Sequence, residues 1–163
     1  MTFWFIFQRH DVLLERLADG TYTIPCANNS PIAPSPKTHI LNVMPALPQA
    51  DVKTFNVTPA TPIDENQYEW CDLRASYYKL SHELYLKAGK CHELLYWDTS
   101  TQYCGVCGTP MVMQTDISKR CPNCGKEVWP QLATAIIVLI SKGDEVVLVH
   151  AKNFKKPFYG LIA

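Results

Sequence analysis

Four cysteines in two identical Cys-x-x-Cys-Gly steps constrain this chain more than any other feature of its sequence. Cys104 and Cys107 form the first pair, Cys121 and Cys124 form the second, and thirteen residues separate the pairs. This spacing is typical of four-cysteine zinc sites, in which two hairpins present thiolates to one Zn²⁺ ion. Because protein ligands fill all four positions, such an ion is structural and keeps no open position for a catalytic water.

The residues around the cysteines predict a zinc ribbon. Gly105, Gly108 and Gly125 are expected to adopt positive φ angles in tight turns, which glycine reaches without steric cost. Met111–Met113 and Ser118–Arg120 are expected to form two short antiparallel strands. Two disulfides, a redox-active Cys-x-x-Cys pair and an iron–sulfur cluster are the alternatives. The two steps with their glycines favour zinc over all three.

The cysteine count and the charge balance limit the class of protein. Seven cysteines are an odd number, and four of them have metal spacing, which argues against a secreted disulfide framework and for the cytoplasm. Cys26, Cys71 and Cys91 are isolated and are expected to pack as small apolar side chains. Fifteen basic and fifteen acidic residues cancel, so no overall field favours DNA or a membrane surface. No apolar run approaches the roughly 18 residues of a membrane span.

The amino-terminal region is predicted to be irregular and rich in strands, with one helix at its end. Eight of the twelve prolines lie between Pro25 and Pro62, which suits short strands joined by irregular loops. The apolar segment Phe3–Phe7 is too short for an export signal and is expected to be an edge strand. From Ser81 to Trp97 the apolar period becomes that of a helix, with Ser81 as its N-cap. The buried face of this helix is predicted to consist of Leu84, Ala88, Cys91 and Leu95.

Apolar segments after the cysteines predict the opening strands of a second sheet. Leu132–Ile140 is almost entirely apolar, Ser141–Glu145 supplies a turn, and Val146–Val149 is apolar again, which is the pattern of a buried hairpin. Another apolar strand, Phe158–Ala163, closes the sequence without a cap, turn or polar tail. We therefore expect the 163 residues to be part of a longer protein.

The ribbon and the segment after it resemble the junction between zinc ribbon and catalytic domain in the NADH pyrophosphatases of the Nudix hydrolase superfamily. The matching elements are the two cysteine steps, Trp129–Gln131, the hairpin Ile136–Val149 and the closing Tyr159–Ala163. The resemblance is specific over residues 81–163 and only general over residues 1–80.

The resemblance implies an α+β fold in three parts. These are an amino-terminal α+β domain at residues 1–98, a zinc ribbon at 99–128, and the truncated start of a Nudix hydrolase domain, with its α/β/α fold, at 129–163. It also implies a homodimer that hydrolyses the pyrophosphate of NADH, NAD⁺ or NAD-capped RNA to NMN(H) and AMP or a 5′-monophosphate. In that family the glutamates of the Nudix box, G-x₅-E-x₇-R-E-U-x-E-E-x-G-U, bind Mg²⁺ or Mn²⁺, which polarises the phosphate.

The 163 residues contain no Nudix box, so no residue is predicted to be catalytic and we expect the chain by itself to be inactive. Trp129 stands where the family has an aromatic residue lining the base pocket, although packing between ribbon and sheet would also explain it. Ile137 is a second substrate-binding candidate, with a core role as its alternative. A zinc-ribbon module that binds RNA or protein without catalysis is the alternative function. Against it, the ribbon carries no basic stripe, because Asp116 and Glu127 offset its lysines and arginine.

Overall fold

The computed structural model describes residues 1–48, 50–152 and 157–162. The chain divides into two compact units, Met1–Pro130 and Gln131–Ala163. In the part of the chain that the structure describes, strands dominate and one long helix accompanies them, which confirms the predicted α+β class. Among the described residues, no helix is both long and apolar enough to cross a membrane.

A seven-stranded mixed sheet forms the framework of the first unit. Its order is β3-β2-β1-β6-β5, with β4 paired to β1 and β7 paired to β2. β1 and β6 run parallel, and the other pairs are antiparallel. The strands are β1 (Thr2–Gln8), β2 (Asp11–Arg16), β3 (Tyr22–Thr23), β4 (Cys26–Ala27), β5 (Leu41–Asn42), β6 (Asp51–Asn56) and β7 (Tyr68–Asp72).

β1 lies at the centre of this sheet, so the prediction of an edge strand at its position is wrong. β2 pairs with it on one side and β6 on the other. Phe5 and Phe7 belong to the main core cluster, whereas Trp4 and Ile6 belong to a second cluster. Because successive side chains of a strand point to opposite faces, both faces of β1 are buried. A strand buried on both faces is apolar without alternation, which explains the run that opens the sequence.

Helix α1 (His82–Ser100) covers one face of the sheet and follows a 3₁₀ turn at Ala75–Tyr78. Ser81 is its N-cap, as predicted, because the Leu84 amide donates a hydrogen bond to the Ser81 hydroxyl oxygen at 3.3 Å. The predicted face is confirmed, since its residues pack in or against the main core cluster. The buried residues of α1 are Ala88, Cys91, Leu94, Leu95, Trp97 and Asp98.

Three short antiparallel strands form the ribbon after the helix. They are β8 (Val112–Thr115), β9 (Ser118–Arg120) and β10 (Glu127–Val128), in the order β10-β9-β8. β8 and β9 are the predicted pair, with an irregularity between Met113 and Thr115. β10 adds a third strand that pairs with β9 through Glu127↔Arg120.

The second unit has less regular structure than the sequence predicts. The turn is confirmed, because β11 (Ser141–Lys142) pairs with β12 (Glu145–Val146) around Gly143. The prediction of a long buried strand at Leu132–Ile140 is wrong. Within this segment the described structure has only an isolated bridge, from Val138 to Ile162. Its side chains are exposed, so they lack the cross-strand neighbours that stabilise a β-strand. Ala163 of the predicted closing strand lies outside the described residues.

Candidate metal centre

The two cysteine steps fold into turns with the same hydrogen-bond pattern. In the first, the Cys104 amide donates to the carbonyl of Thr109 at 2.9 Å, and the Gly108 amide donates back to the Cys104 carbonyl at 2.9 Å. In the second, the equivalent bonds run from the Cys121 amide to Lys126 at 2.8 Å and from the Gly125 amide to Cys121 at 3.0 Å. The sequence repeat therefore corresponds to a structural repeat.

Two of the three predicted glycine conformations are present. Gly108 has φ +72° and Gly125 has φ +75°, in the region that glycine enters without steric cost. The prediction for Gly105 is wrong, because its φ is not positive. Each closing glycine occupies the fourth position after the first cysteine of its step, where the chain turns back, and Gly105 precedes that reversal.

The fold brings the four cysteine sulfurs into one cluster. All four lie within 4.8 Å of one another, and two contacts cross between the two turns, Cys104 to Cys124 and Cys107 to Cys121, each at 3.5 Å. A tetrahedral zinc ion with Zn–S bonds of about 2.3 Å separates its sulfurs by about 3.8 Å. The cysteines are free thiols. This donor set and spacing fit a four-sulfur metal site.

Hydrogen-bond donors at the turns favour thiolates. The Val106 amide lies 3.4 Å from the Cys104 sulfur and is the main reason that the pKa of Cys104 is lowered. The Thr109 hydroxyl, ahead of its own amide, lowers the pKa of Cys107 to about 5. Because thiolate is the form that binds metal, these donors prepare the site for a cation.

The pKa of the fourth thiol, Cys124, is raised because the sulfurs lie so close together. The Lys126 amide lowers the pKa of Cys124, but the neighbouring thiols, Cys104 first, act in the opposite direction and raise it to about 12. Adjacent like charges disfavour ionisation of the last group. A divalent cation shared by the four sulfurs would offset that repulsion.

The three remaining cysteines lie away from this cluster. Cys71 and Cys91 are buried in the main core cluster, as predicted. Cys26 is half-buried on β4, opposite Phe3. Burial raises the pKa of Cys71, and it raises that of Cys91 to about 12.

The two substrate-binding candidates lie in different units. Trp129 follows β10 in the first unit and is 53% exposed. Ile137 precedes β11 in the second unit and is 71% exposed. Both remain predictions.

A buried ion pair beside the metal centre was not predicted. Lys119 of β9 and Asp98 at the end of α1 are 3% and 5% exposed, and 2.8 Å separates the Lys119 Nζ and Asp98 Oδ1 atoms. Both residues look like ordinary surface charges in the sequence. Only the contact between ribbon and helix distinguishes them.

Comparison with known proteins places these observations in a family. Residues 1–97 match the NADH pyrophosphatase-like rudimentary NUDIX domain. The chain belongs to this family. Residues 99–128 match the NADH pyrophosphatase zinc ribbon domain, which contains all four clustered cysteines. The NADH pyrophosphatase resemblance predicted from the sequence is confirmed.

Relatives of this NADH pyrophosphatase-like chain match part of its length. The protein of Deinococcus radiodurans named NAD-capped RNA hydrolase NudC is 46% identical over 72 residues, which are 44% of this chain and 26% of the relative. The proteins of the same name from Pseudomonas aeruginosa and Stutzerimonas stutzeri are 30% and 29% identical over 103 residues, or 63% of this chain and 37% of each relative. The chain thus matches well under half the length of these relatives.

Proposed function

We propose that Cys104, Cys107, Cys121 and Cys124 hold one structural Zn²⁺ ion. The main support is that four sulfurs within 4.8 Å of one another lie on two matching turns of a zinc ribbon domain. The buried side chains described between residues 102 and 130 are Cys104, Ser118, Lys119 and Cys121, so the ribbon has almost no apolar core. Metal binding would supply the folding free energy that such a segment lacks.

Elemental analysis of the purified chain tests this proposal. We expect one zinc per chain and no iron. Cys107→Ser should lose zinc, and because Cys107 is exposed, the change removes a ligand with little loss of packing. Cys26→Ser is the matched control and should keep zinc, since Cys26 lies outside the cluster. A wild-type chain with disulfides between these cysteines, or without bound metal, would contradict the proposal.

We also propose that this chain contributes to the activity of a Nudix hydrolase, and that the substrate of this activity is NADH, NAD⁺ or NAD-capped RNA. The family match and the names of the relatives support this function. Water would add to one phosphorus while a P–O bond of the pyrophosphate breaks, which releases NMN(H) and AMP, or an RNA end with a 5′-monophosphate. Mg²⁺ or Mn²⁺, when bound, would polarise the phosphate.

The 163 residues are proposed to be inactive by themselves, because they carry no Nudix box. Incubation with NADH and Mn²⁺ should release no AMP, and incubation with NAD-capped RNA should release no NMN. The Pseudomonas aeruginosa protein named NAD-capped RNA hydrolase NudC is the positive control for the second reaction. AMP release that scales with the concentration of this chain and saturates with NADH would contradict the proposal.

We propose that Trp129 and Ile137 each contact the base of the substrate in such a Nudix hydrolase. A half-exposed indole offers a face on which a base can stack, and such a contact contributes about 1–3 kcal/mol. Trp129→Leu should therefore weaken NADH binding about tenfold, and Ile137→Ala should weaken it less. Unchanged affinity in Trp129→Leu would assign the indole to packing instead.

A homodimer and a cytoplasmic location complete the proposal. Free, clustered thiols suit a reducing compartment. Light scattering at several protein concentrations should give twice the mass of one chain. The alternative of a nucleic-acid-binding ribbon has less support, because Lys119 is buried against Asp98 and adds no charge to the ribbon surface.

A further inference from the structure

The ammonium group of Lys119 is enclosed at the end of α1. Its Nζ atom donates hydrogen bonds to the backbone carbonyls of Asp98 at 2.7 Å and Thr101 at 3.2 Å, and it lies 2.8 Å from Asp98 Oδ1. The two carbonyls accept hydrogen bonds from the ammonium, whereas Asp98 Oδ1 accepts no hydrogen bond and acts as the counterion. The Trp97 ring is 5.4 Å from the same nitrogen. Lys119 is therefore a buried cation with two hydrogen bonds and a carboxylate counterion.

Asp98 connects the ribbon to a third part of the fold. Its second carboxylate oxygen, Oδ2, lies 3.0 Å from Nδ1 of His39, which precedes β5. Asp98 itself is 5% exposed, so its carboxylate depends on the Lys119 ammonium for charge compensation and on His39 for a further polar contact. A buried carboxylate that loses its ammonium partner is strongly destabilising, because the charge stays without a counterion or water.

The position of Lys119 depends in turn on the metal centre. Lys119 lies on β9, two residues before Cys121, and β9 is the central strand of the ribbon sheet. Since the ribbon has almost no apolar core, the metal site is the main feature that can hold β9 in place. Met113 of β8 adds a partly buried contact to the main core cluster.

We propose that the Lys119–Asp98 pair links metal binding by the ribbon to the stability of helix α1. Zn²⁺ at the four cysteines holds β9, β9 holds the Lys119 ammonium, and the ammonium compensates the buried Asp98 carboxylate. Loss of the metal releases the ribbon and leaves Asp98 without its counterion, so the carboxyl-terminal turns of α1 open. This inference rests on the proposed zinc site.

Hydrogen–deuterium exchange of the α1 segment measures this link directly. Exchange is followed for amides of residues 91–102, with zinc bound and after its removal by a chelator, while zinc content is determined in the same samples. In the wild-type chain, zinc removal should speed exchange in this segment by about tenfold or more.

Three variants separate the link from general effects of zinc. Lys119→Met replaces the ammonium with an apolar side chain of similar length. Asp98→Asn removes the buried carboxylate by a substitution in α1, so the ribbon sequence stays unchanged. Lys126→Met is the matched control: it makes the same Lys-to-Met change at an exposed side chain of the same ribbon and leaves in place the Lys126 backbone groups that bond to the cysteine turn.

With zinc bound, Lys119→Met and Asp98→Asn should already exchange faster than wild type in the α1 segment, and zinc removal should change their exchange less than about threefold. Lys126→Met should respond as wild type does. If zinc removal speeds exchange of the α1 segment in Lys119→Met or Asp98→Asn as much as in wild type, the Lys119–Asp98 pair does not link the metal site to the helix. If Lys119→Met fails to fold or to bind zinc, the exchange of Asp98→Asn with and without zinc tests the proposal instead. A wild-type chain without zinc overturns the metal site itself, which the zinc measurement detects separately.

Discussion

Single cysteines of this chain differ in chemistry because their surroundings differ. Cys107 and Cys91 carry the same thiol, yet the pKa of Cys107 is about 5 and that of Cys91 is about 12. The Thr109 hydroxyl stabilises the thiolate of Cys107, whereas the core around Cys91 removes water from the charged form. Cys107 is prepared to bind a cation, and Cys91 behaves as an apolar side chain.

The thiol of Cys91 makes stability depend on alkaline pH. Its pKa rises from 9.0 to about 12 on folding, so between these values the unfolded chain loses a proton that the folded chain keeps. The free energy of unfolding should therefore fall as pH rises from about 9 towards 12. Urea unfolding across this range should show a shallower fall for Cys91→Ala than for wild type. Cys26→Ala is the control and should keep the wild-type slope; equal slopes in all three proteins would contradict the prediction.

At the scale of elements, local sequence patterns succeed where an element makes its own hydrogen bonds. The period of α1 and its cap at Ser81 are both confirmed, because helix bonds form within one segment. The segment Leu132–Ile140 shows the opposite case. Its β-branched composition predicts a strand, but a strand needs a partner, and only Val138 of this segment forms a bridge in the described structure.

The Ser81 cap should be measurable by itself. Ser81→Ala removes the acceptor of the Leu84 amide and should lower the free energy of unfolding by about 1 kcal/mol. Ser81→Asp keeps an acceptor at the N-cap and should be close to wild type. Urea unfolding of the three proteins checks this, and equal stability of Ser81→Ala and wild type would show that the bond contributes nothing.

A second element-scale contact joins three strands and a lysine. Glu69 of β7 accepts a hydrogen bond from the Tyr22 hydroxyl at 2.8 Å, pairs with Lys79, and lies 3.6 Å from the Arg16 guanidinium. The bond from Lys79, followed by that from Tyr22, lowers the pKa of Glu69. The contact therefore stabilises the fold at neutral pH.

Glu69→Gln should lose about 1 kcal/mol of stability at pH 7, a small effect because the pair is partly exposed. A lowered pKa means that the carboxylate contributes above its unfolded pKa of about 4.5 and that this contribution is lost as pH falls through the folded pKa. Wild type and Glu69→Gln should therefore converge in stability at acidic pH. A difference that stays constant from pH 7 down to pH 3 would contradict the electrostatic origin of the effect.

At the scale of the whole molecule, β1 organises the first unit. It pairs with β2, β4 and β6, and its two faces contribute to two core clusters. The helix packs on the cluster that contains Phe5, so strand, helix and sheet depend on the same buried side chains. This shared core explains why the residues from Phe3 to Phe7 are all apolar.

Phe5→Ala tests this arrangement. Phe5 is fully buried, and its truncation should cost about 3–5 kcal/mol, through lost burial and the cavity left behind. Tyr78→Ala, at an aromatic side chain that is 87% exposed, is the matched control and should change stability by less than about 0.5 kcal/mol. Chemical unfolding compares the two variants, and a loss below about 1 kcal/mol in Phe5→Ala would contradict the central role of β1.

The sequence by itself determined the features that depend on neighbours along the chain. The repeated cysteine steps indicated the turns of the metal centre, and the apolar period indicated the face of α1. The ribbon together with the segment after it indicated the NADH pyrophosphatase family, which the matches of residues 1–97 and 99–128 confirm. Tertiary structure alone decided that β1 is central and that Lys119 is buried against Asp98. The physical reason is that strand position and charge burial depend on contacts between residues far apart in sequence, and no local period records which distant surface a side chain will meet.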